Sequence, residues 1–166
     1  MRAKLRRWLR EIVVLLLIAA VAMWAMDTLR KPALPQGFIS TPLHTLDGEQ
    51  VSLATMSRER PLLVYVWATW CGICRYTTPS VATLAQEGGN VMTVALRSGD
   101  NRTLETWLSR KGYAMPVVND ATGQLARQWD VQVTPTLLVI DNGEVTAMTT
   151  GWTSGWGMRL RLWLAS

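Results

Sequence analysis

Pro61-Leu62-Leu63-Val64-Tyr65-Val66-Trp67-Ala68-Thr69-Trp70-Cys71-Gly72-Ile73-Cys74 is the stretch that decides how this chain is read. Leu62–Trp67 is an almost wholly apolar run. Such runs belong to central strands buried on both faces. Residues 72–87 then read as a helix stopped by Gly88-Gly89. The chain has two Cys, and both fall where the buried strand ends and the helix begins.

A Cys-x-x-Cys pair can hold zinc, hold copper, form a structural disulfide, or cycle between dithiol and disulfide. Structural zinc takes four ligands and catalytic zinc three. This chain offers two Cys and one His, His44, far along the sequence. Zinc held within one chain is therefore not expected and no metal ligand is assigned, while copper(I) on the two thiolates stays a minor option. A disulfide closing so short a loop removes little entropy from the unfolded chain. Redox cycling suits the setting. At the start of a helix, free N–H groups and the helix dipole favour a thiolate on Cys71. Cys74, about one turn further in, is the less exposed thiol. Cys71 is expected to be the attacking nucleophile and Cys74 the resolving thiol, with no cofactor beyond their own disulfide.

Outward from this centre, the pattern alternates. Phe38–Thr45 and Val51–Leu53 flank Asp47-Gly48 and predict a hairpin. Val91–Leu96 reads as a second buried strand. Asp100 or Asn101 can cap a helix running to about Lys111, with Gly112 as its stop. Val117-Val118 reads as a short strand and 121–129 as a short helix. Thr136–Ile140 and Val145–Thr150 flank Asp141-Asn142-Gly143-Glu144, a type I′ hairpin signal. Ser154–Leu164 can close the domain as a helix, with Trp152 and Trp156 expected to pack it onto the sheet. The order predicts an α/β domain with a mixed sheet and helices on both faces. Thr134-Pro135-Thr136 opens a strand, where proline is tolerated. Trp67 reads as core, Trp70 as core or groove, Arg75 as a solvated helix charge, and His44 as a surface residue.

Trp67-Ala68-Thr69-Trp70-Cys71-Gly72-Ile73-Cys74 resembles the Trp-Ala-x-Trp-Cys-x-x-Cys signature of the thioredoxin superfamily. Pro79, five residues after Cys74, matches that family's helix proline. Val133-Thr134-Pro135-Thr136 matches its cis-proline loop, and Gly151 a glycine after the last strand. The N-terminal hairpin and the helix near 101–112 narrow the likeness to the TlpA/ResA/CcmG-like membrane-tethered thioredoxins, close to the suppressor-of-copper-sensitivity group. The resemblance implies a thioredoxin-like fold over 38–166. It also implies Pro135 in cis facing the disulfide, Thr134 pairing through its backbone with bound substrate, and Trp70, Gly72 and Ile73 supporting the site. Two positions depart from the family. Tyr65 stands where thioredoxins carry a buried Asp, and Thr77 where ResA-like reductases carry a Glu. The peroxidase pattern Pro-x-x-x-Thr-x-x-Cys is not met, because Val64 holds its proline position.

Seventeen Lys/Arg against twelve Asp/Glu give a net charge of +5. Six of those cations and two acids lie in 1–30, leaving 11 basic and 10 acidic residues in the remainder. A nucleic-acid-binding domain needs its excess on the folded part, so that class is excluded. Ile12–Met26 carries no charge. It is shorter than the ~20 residues of a full span. Trp8, Leu9 and Leu29 extend it, and Arg10 and Arg30 can snorkel. Five cations precede it, which orients the N-terminus to the cytoplasm. The expected layout is a basic tail at 1–11, a transmembrane anchor at 12–29, a linker at 30–37 and the domain at 38–166. A cleaved signal ending near Ala20-Val21-Ala22 is the competing reading.

Together these give an exported thiol-disulfide oxidoreductase at a bacterial inner membrane, with its catalytic domain in the periplasm. It is expected as a monomer acting on protein disulfides or thiols, apocytochrome c among them. The resemblance implies a membrane electron donor of the DsbD/CcdA kind. The alternatives are a protein-thiol oxidant or isomerase, and a copper(I)-binding copper-tolerance module.

Overall fold

The computed structural model describes residues 37–166 and, before them, 8–15, 17–18 and 21–22, which are helical. The chain divides into two compact units, Met1–Lys31 and Pro32–Ser166. In the first, every described residue is exposed. Among the described residues no helix is long and apolar enough to cross a membrane. Most of the expected basic tail and linker, and much of the expected anchor, lie outside the described residues.

The second unit is built on a five-stranded sheet. Its strands are β3 (Leu62–Trp67), β4 (Val91–Leu96), β5 (Val117–Asp120), β6 (Thr136–Asp141) and β7 (Glu144–Thr150). Their spatial order is β5-β4-β3-β6-β7. β3 runs parallel to β4 and antiparallel to β6, so the sheet is mixed. A separate antiparallel pair, β1 (Leu43–His44) and β2 (Gln50–Val51), forms the N-terminal hairpin. The helices are α1 (Leu53–Met56), α2 (Cys74–Gln86), α3 (Asn101–Lys111), α4 (Gln124–Gln128) and α5 (Gly155–Ala165).

All six β3 residues are buried, as their apolar run requires. Alternation along the strand sends its side chains to two cores. Leu63, Tyr65 and Trp67 join Val81, Leu84, Leu104 and Met158, from α2, α3 and α5. Leu62, Val64 and Val66 join Phe38, Leu53, Ala126 and Trp129 on the opposite face. Helices therefore cover both faces, as the element order implies.

Local signals set the boundaries. Asp100 caps α3, its carboxylate accepting from Thr103 N–H at 2.8 Å, and Gly112 ends it at φ 67°. Hydrogen bonding from Thr103, its hydroxyl first and then this backbone N–H, holds the Asp100 carboxyl below its ordinary value. Asn142 and Gly143 both take positive φ, 47° and 78°, as a type I′ turn demands. Two expectations need correction. Leu53 begins α1 rather than ending a strand, because Ser52 accepts from Thr55 N–H and caps a helical turn there. Trp152 and Trp156 do not pack α5 onto the sheet. Both are exposed, and Met158 is the buried residue of that helix.

Candidate active site

Cys71 follows β3 through a tight turn in which its N–H donates to Ala68 O at 3.2 Å. Helix α2 begins at Cys74, so Gly72 and Ile73 form the bend between the two sulfurs. Cys71 and Cys74 are disulfide-bonded, with Cα atoms 5.3 Å apart. Cys74 N–H points at Cys71 Sγ from 3.2 Å. In the reduced pair that contact stabilises negative charge on Cys71. Cys71 keeps a rim of exposure (9 %), whereas Cys74 is 1 % exposed. The outer sulfur is thus the one that a second protein can reach.

Strand β6 supplies the opposite wall. The Thr134–Pro135 bond is cis. Thr134 O lies 3.6 Å from Cys71 Sγ. Pro135 O accepts from Gly151 N–H at 2.8 Å, so the end of β7 buttresses this loop.

A second loop, after β4, fixes the approach to Cys71. Ser98 Oγ accepts from Thr69 N–H at 3.0 Å, and Arg97 O accepts from Trp70 Nε1 at 3.1 Å. Arg97 itself sits at φ 45°, an uncommon conformation for a non-glycine residue. With its only polar atom satisfied, Trp70 still stands 61 % exposed beside Cys71. Ile73, Tyr76, Val133 and Trp152 are also exposed. All lie close in sequence to the disulfide, the cis-proline or the Gly151 buttress. Sequence reasoning found Trp70 and Ile73 but missed Tyr76 and Val133. It also assigned Trp152 to packing. The available signal was position: each neighbours a residue of the signature. Arg75 is exposed, its Nε–H donating to Gly72 O at 3.0 Å and its guanidinium 5.3 Å from the Tyr76 ring centre.

Beneath the disulfide the polar chemistry is unusual. Tyr65 and Thr78 share a hydrogen bond of 2.9 Å, and Thr78 Oγ1 donates to Cys74 O at 2.8 Å. Burial raises the Tyr65 hydroxyl above its ordinary value, and the Thr78 bond only partly opposes that. Tyr65 therefore stays neutral at the position where the resembled thioredoxins carry an acid. Thr77 Oγ1 and Trp67 Nε1 are buried without a partner. His44 is exposed in β1. Among the described residues no group of three or more His, Cys, Asp or Glu gathers at a metal-sized site.

A two-cysteine bend between a buried strand and a helix N-terminus, faced by a cis-proline, defines a thioredoxin-like thiol-disulfide oxidoreductase. The AhpC/TSA family model matches residues 35–148, and the chain belongs to that family. It is similar to a thioredoxin-like protein of Haemophilus influenzae, 38% identical over 162 residues, covering 98% of this chain and 97% of that one. The thiol:disulfide interchange protein DsbE of Pseudomonas fluorescens biotype C is 30% identical over 145 residues, 82% of this chain and 80% of its own. Among solved structures, dsbF of MTB superimposes with a TM-score of 0.65 at 19% identity, covering 81% of this chain and 100% of that one, a likeness of fold. The family's name does not bring peroxidase chemistry with it here. Val64 and Ala68, both buried apolar residues, hold the positions of that pattern's Pro and Thr.

Proposed function

We propose that this protein is an exported, membrane-tethered reductase of protein disulfides. The observation that carries this reading is the exposed apolar rim of Trp70, Ile73, Tyr76 and Val133 around a sulfur that lies 3.6 Å from the Thr134 carbonyl. A rim of that size suits a polypeptide rather than a small molecule. The Thr134 N–H, without a partner among the described residues, suits an extended substrate strand.

In the reductive direction, Cys71 thiolate attacks one sulfur of a substrate disulfide. That S–S bond breaks, a Cys71–substrate disulfide forms, and the first substrate sulfur leaves as a thiolate that takes up a proton. Cys74 loses its proton and attacks Cys71 Sγ. The second substrate sulfur leaves, and the pair is oxidised by two electrons while the substrate is reduced by two. Thr78 and Tyr65 hold the first turn of α2 while Cys74 moves. Renewal of the dithiol requires a membrane donor of the DsbD/CcdA kind, and apocytochrome c is a fitting substrate.

The tether is supported by the uncharged run Ile12–Met26 behind five cations, helical wherever it is described. The larger charge before the run assigns the N-terminus to the cytoplasm and the domain to the periplasm, where one copy suffices for exchange. The oxidant or isomerase reading is favoured by one feature: the residue buried beneath Cys74 is the neutral Tyr65, not an acid that could take the Cys74 proton. The copper(I) reading has the two thiolates in support, with no gathering of His, Cys, Asp or Glu beside them among the described residues.

The test is the reduction potential of Cys71–Cys74 in the full chain, by glutathione titration and alkylation mass shift. A value near the thioredoxin end, about −270 mV, supports the reductase. A value near the DsbA end, about −120 mV, makes the protein an oxidant and overturns the direction proposed. In parallel, Cys74→Ser should trap envelope proteins on Cys71 as mixed disulfides, and failure to trap any counts against protein substrates.

A further inference from the structure

Helix α5 is apolar on two opposite sides. Met158 is buried, and Leu162 and Ala165 pack against the same core. On the outer side, Trp156, Leu160, Trp163 and Leu164 fall at i, i+4, i+7 and i+8, which aligns them in one stripe. They are between 52 % and 85 % exposed. A helix that is apolar all round is ordinarily covered all round, and a large uncovered apolar patch marks a docking surface.

Charge says what covers it. Glu144 is the last acid of the chain, and the charged side chains of 145–166 are Arg159 and Arg161 alone. Helical spacing puts them on the two flanks of the stripe. Arg159 reaches across to Glu87, and Arg161 donates to Gly157 O at 3.1 Å, so the Arg161 stem lies along the helix. Tryptophan and leucine on one side, arginine at the borders and no acid within the helix itself, Glu87 of α2's C-terminal end meeting Arg159 only, is the composition of a helix lying in a lipid headgroup region. A second copy fits poorly. The four side chains of the stripe fall far short of the ~20–30 residues a side of a stable protein interface.

We propose that the outer face of α5 seats the domain on an anionic lipid surface. Trp156, Leu160, Trp163 and Leu164 enter the boundary between headgroups and acyl chains, and Arg159 and Arg161 meet lipid phosphates. Gly155 lies against Ser80 of α2, the helix that begins at Cys74, so the inner side of α5 packs beside the helix bearing the disulfide. The seat goes beyond disulfide exchange and does not require the N-terminal run to insert.

The test uses the full chain carrying 5-fluorotryptophan, read by fluorine NMR. It is added to vesicles of phosphatidylcholine alone, or of phosphatidylcholine with phosphatidylglycerol, each carrying a spin-labelled headgroup. Trp→Phe substitutions assign the resonances. The expected result is spin-label-dependent broadening of Trp156 and Trp163 in the anionic vesicles, measured against the same vesicles without label, that is several-fold larger than that of buried Trp67 and Trp129. Combining Arg159→Gln with Arg161→Gln should remove that broadening. Trp8 and Trp24 report the N-terminal run separately, so loss of the tether and loss of the seat are told apart. Sharp Trp156 and Trp163 in both vesicle types overturn the proposal. So does broadening that is equal in both and survives the double variant. Shielding of these tryptophans that needs no lipid and disappears on dilution assigns the face to a second copy and overturns it as well.

Discussion

The two sides of the disulfide invert the usual sorting of side chains. Below it, the buried layer of Tyr65, Trp67, Thr77 and Thr78 brings hydroxyl and indole groups into the core. Above it, Trp70, Ile73, Tyr76, Val133 and Trp152 leave apolar surface in solvent. Trp67 and Trp70, three residues apart, make the contrast sharply. The buried indole has no partner for its N–H, and the exposed one is bonded to Arg97 O. An unpaired buried polar group costs about 1–3 kcal/mol. The lower layer therefore sacrifices stability, whereas the upper layer leaves apolar area unused until a partner covers it. Substitutions below should register in stability, and substitutions above in exchange.

The largest expected effect is below. Trp67 stacks against Tyr65 (6.4 Å between ring centres) and meets Trp107 (5.2 Å). Trp67→Ala should destabilise the full chain by about 3–5 kcal/mol in urea unfolding, the usual cost of emptying a large aromatic site. A loss under about 1 kcal/mol would break the contrast.

Tyr65→Phe should cost about 0.5–1.5 kcal/mol at neutral pH through the lost bond to Thr78. Its pH dependence is more telling. The folded hydroxyl is held above the ordinary value of 10.0, so the unfolded chain releases its proton first as pH rises. Stability from this group is complete below pH 10 and is lost as pH climbs above it. The Phe variant should show a flatter alkaline limb, and an unchanged limb would remove Tyr65 as its cause.

Thr77→Val keeps the shape and deletes an unpartnered hydroxyl. It should leave stability unchanged or raise it by about 1 kcal/mol. Clear destabilisation would mean that the hydroxyl has a partner in solution. The smallest effect on stability belongs above: Trp70→Ala should shift unfolding by no more than about 0.5 kcal/mol. Its rate of protein-disulfide reduction should nonetheless fall several-fold, and an unchanged rate would detach the exposed rim from substrate.

Much of the backbone frame was legible because its signals are short-range. Leu62–Trp67 announces a doubly buried strand by composition alone, and Cys71 and Cys74 follow without a gap. Asp100, Gly112 and Asn142-Gly143 act on backbone within a few residues of themselves. The lower layer was not legible as a network. Tyr65 and Thr78 are 13 residues apart and meet only once α2 folds back over β3. The same limit explains α5. Apolar residues at helical spacing disclose a helix but not which of two apolar sides the sheet will claim, and Met158 took the place expected of Trp152 and Trp156. Leu53 was misread for the opposite reason, a local signal overlooked: Ser52 caps the turn that removes it from the hairpin.

The N-terminal hairpin has one more consequence. Leu46 N–H donates to Val117 O at 2.8 Å and Thr45 bridges to Val118, so the hairpin occupies the outer rim of β5. In polymer terms, a sheet with two open rims is a bifunctional monomer and adds units without limit. With β5 blocked, this sheet is monofunctional, and strand addition at β7 terminates after a single partner. The folded domain thus carries a chain stopper against fibre growth, built from a hairpin that has no part in the chemistry of the cysteines.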